Sequence, residues 1–228
     1  MSKIINGSSL QPLSGGPPKQ IVLLLHGYGS DSADLISLAP HWQHALSDAL
    51  FLAPNAPQRC SAGLGFQWWP LSALSPVALA AGAAAAAPAL DAFIDRKLDQ
   101  YGLSETNLAI VGFSQGTMMA LHVGLRRQRQ VAGIVGYSGM LVGATDLSHR
   151  DTTKPPVLLI HGSADLIVPV ASLNTAKREL ERLGIPVTSH ISKGLGHSID
   201  PVGLRLGGEF IAEALASKGD SPIPRRPA

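Results

Sequence analysis

The sequence predicts an α/β protein, a mostly parallel, doubly wound sheet with helices on both faces in a single domain. Three observations carry this. Ile21–Leu25, Leu108–Val111, Val131–Val135 and Val157–Ile160 are continuous apolar runs of strand length, the pattern of strands buried on both faces. Amphipathic helical segments lie between them, which is the grammar of parallel strands joined by crossovers. Each run also leads into a turn that contains glycine, so the 24 glycines and 17 prolines mark strand ends more than linkers.

Composition narrows the function classes. The 228 residues are 45% hydrophobic and 15% charged, with a net charge of +2, too balanced to suggest a nucleic-acid partner. The single cysteine, Cys60, excludes an intramolecular disulfide and any cysteine-cluster zinc site. No paired histidine singles it out as a nucleophile.

Taken in order, the first sixteen residues hold one lysine and no apolar run of signal-peptide length, so a cytoplasmic protein is expected. Gln11–Lys19 reads as a surface loop, then Ile21–Leu25 as a central strand and Ala49–Ala53 as a weaker one. Val77–Leu90 is an apolar, alanine-rich stretch of 14 residues broken by Gly82 and Pro88, expected to be too short and too weakly apolar to span a bilayer. Pro88 must end or kink a helix there, giving two segments or one kinked helix between Val77 and Tyr101. Leu90, Phe93, Ile94 and Leu98 form its apolar face. A helix over Gln115–Arg127 follows the next strand. Ala171–Leu183 is amphipathic and stopped by Gly184, and Val187–Ile191 fits the buried-strand series. Residues 1–217 form the expected domain, and Lys218–Ala228, rich in proline, is an expected disordered tail.

Gly112-Phe113-Ser114-Gln115-Gly116 is a G-x-S-x-G pattern between a buried run and a helical segment. A serine on so sharp a turn projects its hydroxyl above the sheet edge, with small residues required on either side. A hydroxyl needs a base to become nucleophilic, and the base needs an orienting carboxylate. Asp165 follows the run Val157–Ile160, and His197 stands in Gly194-Leu195-Gly196-His197 after Val187–Ile191. The order Ser114, Asp165, His197 is that of nucleophile, acid and base, with room for one strand–helix unit between each pair. The oxyanion donors in this geometry are the N–H of Gln115 and, in the loop after the first central strand, that of Tyr28.

The other candidates have plainer roles. His26 and His161 each stand in a strand-end His-Gly pair and read as structural hydrogen-bonding residues. His41, His44, His122, His149 and His190 lie in helical or strand patterns without a glycine-flanked loop. Asp31 and Asp34 read as helix caps, and Asp200 is the substitute acid should Asp165 fail.

Five ordered blocks then resemble the carboxylesterase/phospholipase branch of the α/β-hydrolases, which includes acyl-protein thioesterases and lysophospholipases. They are Leu24–Asp31, Ala53–Pro57, Gly112–Gly116, His161–Pro169 and Gly196-His197, within a match running from about Gln20 to Ser217. The resemblance implies a nearly capless hydrolase with a shallow apolar acyl groove, no metal and no organic cofactor. It assigns the triad to Ser114, Asp165 and His197 and the oxyanion role to Tyr28 and Gln115. The family's tryptophan block is similar to Trp68-Trp69-Pro70-Leu71, except that Pro70 replaces its usual acidic residue. Trp69, Ile167 and Val168 are the expected substrate-binding residues, with plain core packing the alternative for Trp69.

The expected function is a serine carboxylesterase acting on small-molecule esters, with short to medium acyl chains, as monomer or homodimer. A lysophospholipid or acylated protein is the alternative substrate of the same site. A receptor built on a dead hydrolase is disfavoured because all three triad members are present. A dinucleotide enzyme is disfavoured because no G-x-G-x-x-G loop follows the first strand.

Overall fold

The protein is described by a computed structural model covering residues 7–60, 64–148, 150 and 152–217. The tail Lys218–Ala228 and His149 lie outside the described residues. In chain order the elements are β1 (Gly7–Leu10), β2 (Gln20–Leu25), α1 (Ser32–Ile36), α2 (Ala39–Trp42), β3 (Ala49–Pro54), β4 (Gln58–Arg59), β5 (Phe66–Gln67) and α3 (Pro76–Tyr101). They continue with β6 (Leu108–Phe113), α4 (Gln115–Gly124), β7 (Gly133–Tyr137), β8 (Val157–Gly162), α5 (Ala171–Arg182), β9 (Val187–Ser192) and α6 (Pro201–Ala216).

Seven strands form one sheet in the order β1-β3-β2-β6-β7-β8-β9, parallel except for β1, which runs antiparallel along β3. Side chains of a strand alternate between faces, and here both faces are dry. Ile21, Leu23 and Leu25 of β2 join Leu108 and Ile110 of β6 in the cluster under α3, α4 and α5. Val22, Leu24, Ala109 and Val111 point the other way, into the cluster that holds Trp42 and α6. This two-sided burial is why the central strands carry no polar alternation.

Several expectations are corrected. β1 was not foreseen, since Gly-Ser-Ser-Leu is short, polar and half exposed. The helix α1 implied by the cap reading starts after Asp31, with Asp34 inside its first turn; the β4–β5 hairpin and α6 were unforeseen. β7 begins at Gly133 rather than Val131. β9 is no buried strand: it is the sheet edge, exposed or half-exposed at all but its last residue. The connection from β7 to β8 holds no α-helix among the described residues, only a 3-10 turn at Ala144–Asp146. Two strands therefore separate Ser114 from Asp165, not one strand–helix unit.

The alanine-rich region is one continuous helix. Pro88 lies inside α3 on its exposed side, where the missing N–H and the ring face solvent. The 14-residue apolar run understated the element, because α3 continues on an amphipathic pattern to Tyr101. An 18-residue window of this helix has mean hydropathy 1.8, long and apolar enough by length and composition to cross a membrane. In the fold its Leu79, Ala83, Ala86, Leu90, Phe93, Ile94 and Leu98 are packed into the core. Arg127 secures its far end through Asp91 (3.0 Å), Asp95 (2.6 Å) and Glu105 (3.2 Å).

Candidate active site

Every parallel strand of the sheet ends on the same edge, and the predicted residues follow four of those ends: His26–Asp31 after β2, Ser114 after β6, Asp165 after β8 and His197 after β9. In an open parallel sheet this edge is where ligands bind.

Ser114 is the N-cap of α4, with φ 54° and ψ −115°. A non-glycine residue in this region costs about 1–3 kcal/mol and persists only where its surroundings enforce it. They do so here. The Ser114 N–H donates to Tyr137 O (2.9 Å), and the Ser114 carbonyl accepts from Thr117 N (3.0 Å). The Thr117 hydroxyl lies 2.8 Å from both Gly112 O and Tyr137 O and fastens α4 across two strands. Gly116 must be glycine, since a Cβ would stand 1.9 Å from Leu25 O. The helix therefore packs directly on β2, and this brings the donor loop beside the serine: a methyl on Gly27 would be 3.3 Å from Ser114 Cβ.

The acid and base loops are tied together. A Cβ on Gly162 would stand 2.3 Å from Leu195 O, and Ala164 N donates to Leu195 O (2.9 Å). Gly194 N donates to the Ser163 hydroxyl (2.8 Å). This seats His197 over Asp165, where His197 Nδ1–H donates to Asp165 Oδ2 at 2.7 Å. The other carboxylate oxygen, Oδ1, accepts from Ile167 N and Val168 N, both at 2.9 Å. Burial pushes the Asp165 carboxyl up, but the His197 bond and the two amide bonds outweigh it and hold it below the usual carboxylate range. It stays an anion throughout the neutral range. The Phe113 ring packs against the His197 imidazole, with centroids 4.8 Å apart.

The expected bystanders take structural roles. His161 is buried, with Nε2 2.8 Å from Val168 O and 3.3 Å from Asp165 Oδ2, and so helps fold the acid loop. His26 donates from Nδ1 to Gly27 O (2.7 Å) and accepts on Nε2 from Ala56 N (2.9 Å). Burial lowers its pKa, against Gly27, Asp31 and Asp34, which raise it. Asp31 caps α1, and Asp200 caps α6 by accepting from Gly203 N at 2.7 Å. The carboxylate on His197 is thus that of Asp165.

The three expected substrate-binding residues stand in different settings. Val168 is buried, and its contribution is the amide on Asp165. Ile167 is exposed beside Leu166. Trp69 is buried, its indole lying on Gly82 of α3 and its Nε1 without a partner among the described residues. It shares a cavity of about 420 Å³ with Pro57, Trp68, Gly82 and Ala85. Sequence reasoning named Gln115 for its backbone N–H but missed its side chain, and it missed Ser138. The Gln115 side chain accepts from Trp68 N (3.0 Å) and donates from Nε2 to Trp69 O (2.9 Å). Ser138, at the end of β7, is the second non-glycine residue with positive φ, 47°; the strand-end pair Ser138-Gly139 was the available signal.

The arrangement offers a strained serine, a carboxylate-oriented imidazole and a strand-end loop beside them, which is the equipment of acyl transfer. Comparison with known proteins agrees. Residues 13–215 match the phospholipase/carboxylesterase family. The crystal structure of esterase PE8 is similar to this chain with a TM-score of 0.88 and 43% identity, covering 92% of this chain and 99% of that one. Esterase YpfH of Escherichia coli is 25% identical over 81% of this chain and 78% of its own. Acyl-protein thioesterase 1 of Emericella nidulans is 28% identical over 79% of this chain and 84% of its own.

Proposed function

The chain belongs to the phospholipase/carboxylesterase family of α/β-hydrolases, and from that premise we propose a serine carboxylesterase that uses Ser114, His197 and Asp165 on esters of short to medium acyl chains. The observation that carries this reading is the 2.7 Å bond from His197 Nδ1 to Asp165 Oδ2. It fixes the tautomer that leaves His197 Nε2 to accept the serine proton.

The Ser114 hydroxyl attacks the ester carbonyl as His197 Nε2 takes its proton, and Asp165 stabilises the imidazolium. The oxyanion is met by the N–H of Gln115 and the N–H of Tyr28. Gln115 is the first residue of α4, where an amide has no carbonyl one turn earlier to bind. Each such donor is worth about 3–4 kcal/mol in the transition state. The C–O bond then breaks, the alcohol leaves with the proton from His197, and water resolves the acyl-enzyme by the same route. The cavity beside Trp69, of about 420 Å³ and mostly apolar in its lining, supports an acyl group of moderate size.

Ser114→Ala should abolish hydrolysis of p-nitrophenyl butyrate and covalent labelling by a fluorophosphonate while keeping the native circular dichroism. Retained turnover would remove the serine from the mechanism. Asp165→Asn should lower kcat by about 10³–10⁴-fold, whereas Asp200→Asn should not. A second reading, thioester hydrolysis on acylated proteins by the same site, is supported by the thioesterase relative, and an acyl-thioester substrate separates the two.

A further inference from the structure

We propose that the leaving alcohol is held in a cavity between α1 and the His197 loop, and that Asp34 makes this subsite selective for alcohols carrying a positive charge. The proposal rests on the serine-hydrolase reading and extends it to the half of the substrate that reading leaves unspecified.

A base that protonates the departing oxygen must have the leaving group against it. One cavity, of about 300 Å³, is lined by His197, Phe113, Asp34, Ser37, Leu38 and Ile199. The larger cavity beside Trp69 is lined by the two tryptophans that the Gln115 side chain holds, and by neither His197 nor Phe113. On this proposal the two halves of an ester take separate places, the acyl group toward α3 and the alcohol toward α1.

The alcohol side has a definite charge. Among the described residues lining it, Asp34 is the one carboxylate, and no lysine or arginine joins it. Asp34 is exposed in the first turn of α1, and its Oδ2 accepts from the Ser30 hydroxyl at 2.6 Å. Asp31 is engaged differently, with its Oδ1 on Ala33 N and Asp34 N. Both carboxylates raise the pKa of the buried His26, so their negative potential reaches into the strand end. The Phe113 ring adds an aromatic wall, which attracts a cation more than a neutral group of the same shape. Leu38 and Ile199 supply apolar surface for a methylated ammonium.

The test compares butyrylcholine with 3,3-dimethylbutyl butyrate, which has the same acyl group and shape with carbon in place of the cationic nitrogen. Each kcat/KM is normalised to the ester's alkaline hydrolysis rate. Wild-type protein should prefer the choline ester about fivefold at low ionic strength, the size of an exposed ion pair. The ratio should shrink with added salt. Asp34→Asn should bring it to about one, and Ser37→Lys, which sets a cation in the cavity, should bring it below one. A wild-type ratio of one or less, or a ratio unmoved by both substitutions, overturns the subsite while Ser114 still takes a fluorophosphonate. Failure of labelling together with failure to hydrolyse either ester overturns the serine-hydrolase reading beneath it.

Discussion

In the proposed site Gln115 acts with both its ends. Its backbone N–H stands at the start of α4, and its side-chain amide bridges Trp68 N–H and Trp69 C=O in a fully buried position. Removing that amide leaves a donor and an acceptor dry and unpaired, each costing about 1–3 kcal/mol. Gln115→Leu should therefore lower the unfolding free energy by about 2–5 kcal/mol in urea titrations. An unmoved midpoint would mean that the tryptophan loop finds other partners. The same residue marks how far single positions can be read from sequence. The proposed triad Ser114, Asp165 and His197 could be nominated from sequence because each candidate follows a strand and stands within a few residues of a glycine. The Gln115 clamp could not be, because its partners are backbone groups more than forty positions away, and backbone carries no letter. Asp31 lies between these cases: a cap is a local matter, and its bond to Ala33 N and Asp34 N follows from the residue and its place before α1.

Among the elements, α3 carries the clearest functional consequence. Its alanines leave room for the cavity beside Trp69, and Ala85 lines it from an exposed position. Ala85→Trp should fill much of that space with little effect on folding. Across p-nitrophenyl esters from acetyl to octanoyl, kcat/KM should drop progressively with chain length, by about tenfold or more at the long end, the cost of one or two displaced methylenes. A uniform change across the series would place the acyl chain elsewhere. Elements were legible in proportion to their burial. The five inner strands announce themselves as apolar runs because both faces are dry. β1 and β9 sit at the sheet edges, where half-exposed residues weaken the pattern. The β7–β8 connection shows a further limit, since regular alternation of strand and helix suggested a crossover helix that this fold omits.

For the molecule as a whole, the buried histidines set the acid side of the stability profile. His122 is buried, with Nδ1 unpartnered among the described residues. Burial and then Arg126 push its pKa down to about 4, against Asp146, and His26 is shifted in the same direction. Between pH 6.5 and about 4 the unfolded chain therefore binds protons that the native chain refuses, and stability falls as pH is lowered through this window. Asp165 behaves oppositely: its contribution is present above the ordinary carboxylate pKa and lost only as pH falls through its depressed native value. Urea midpoints measured from pH 7 to 4.5 should decline, and His122→Leu should flatten the decline; an identical slope would assign it elsewhere. The parallel sheet and its active edge were legible at this scale because strand burial and loop chemistry point to one topology. Cavity shapes were not, because they depend on side chains meeting across the fold. That topology also sets a timetable. Trp68 and Trp69 contact His26, Gln115 and Gly82, all within the first 115 residues, whereas His197 follows β9, the last strand in the chain. In refolding of a Trp42→Phe protein, indole emission should recover before esterase turnover, so that catalysis itself becomes the clock for the final closure of the sheet.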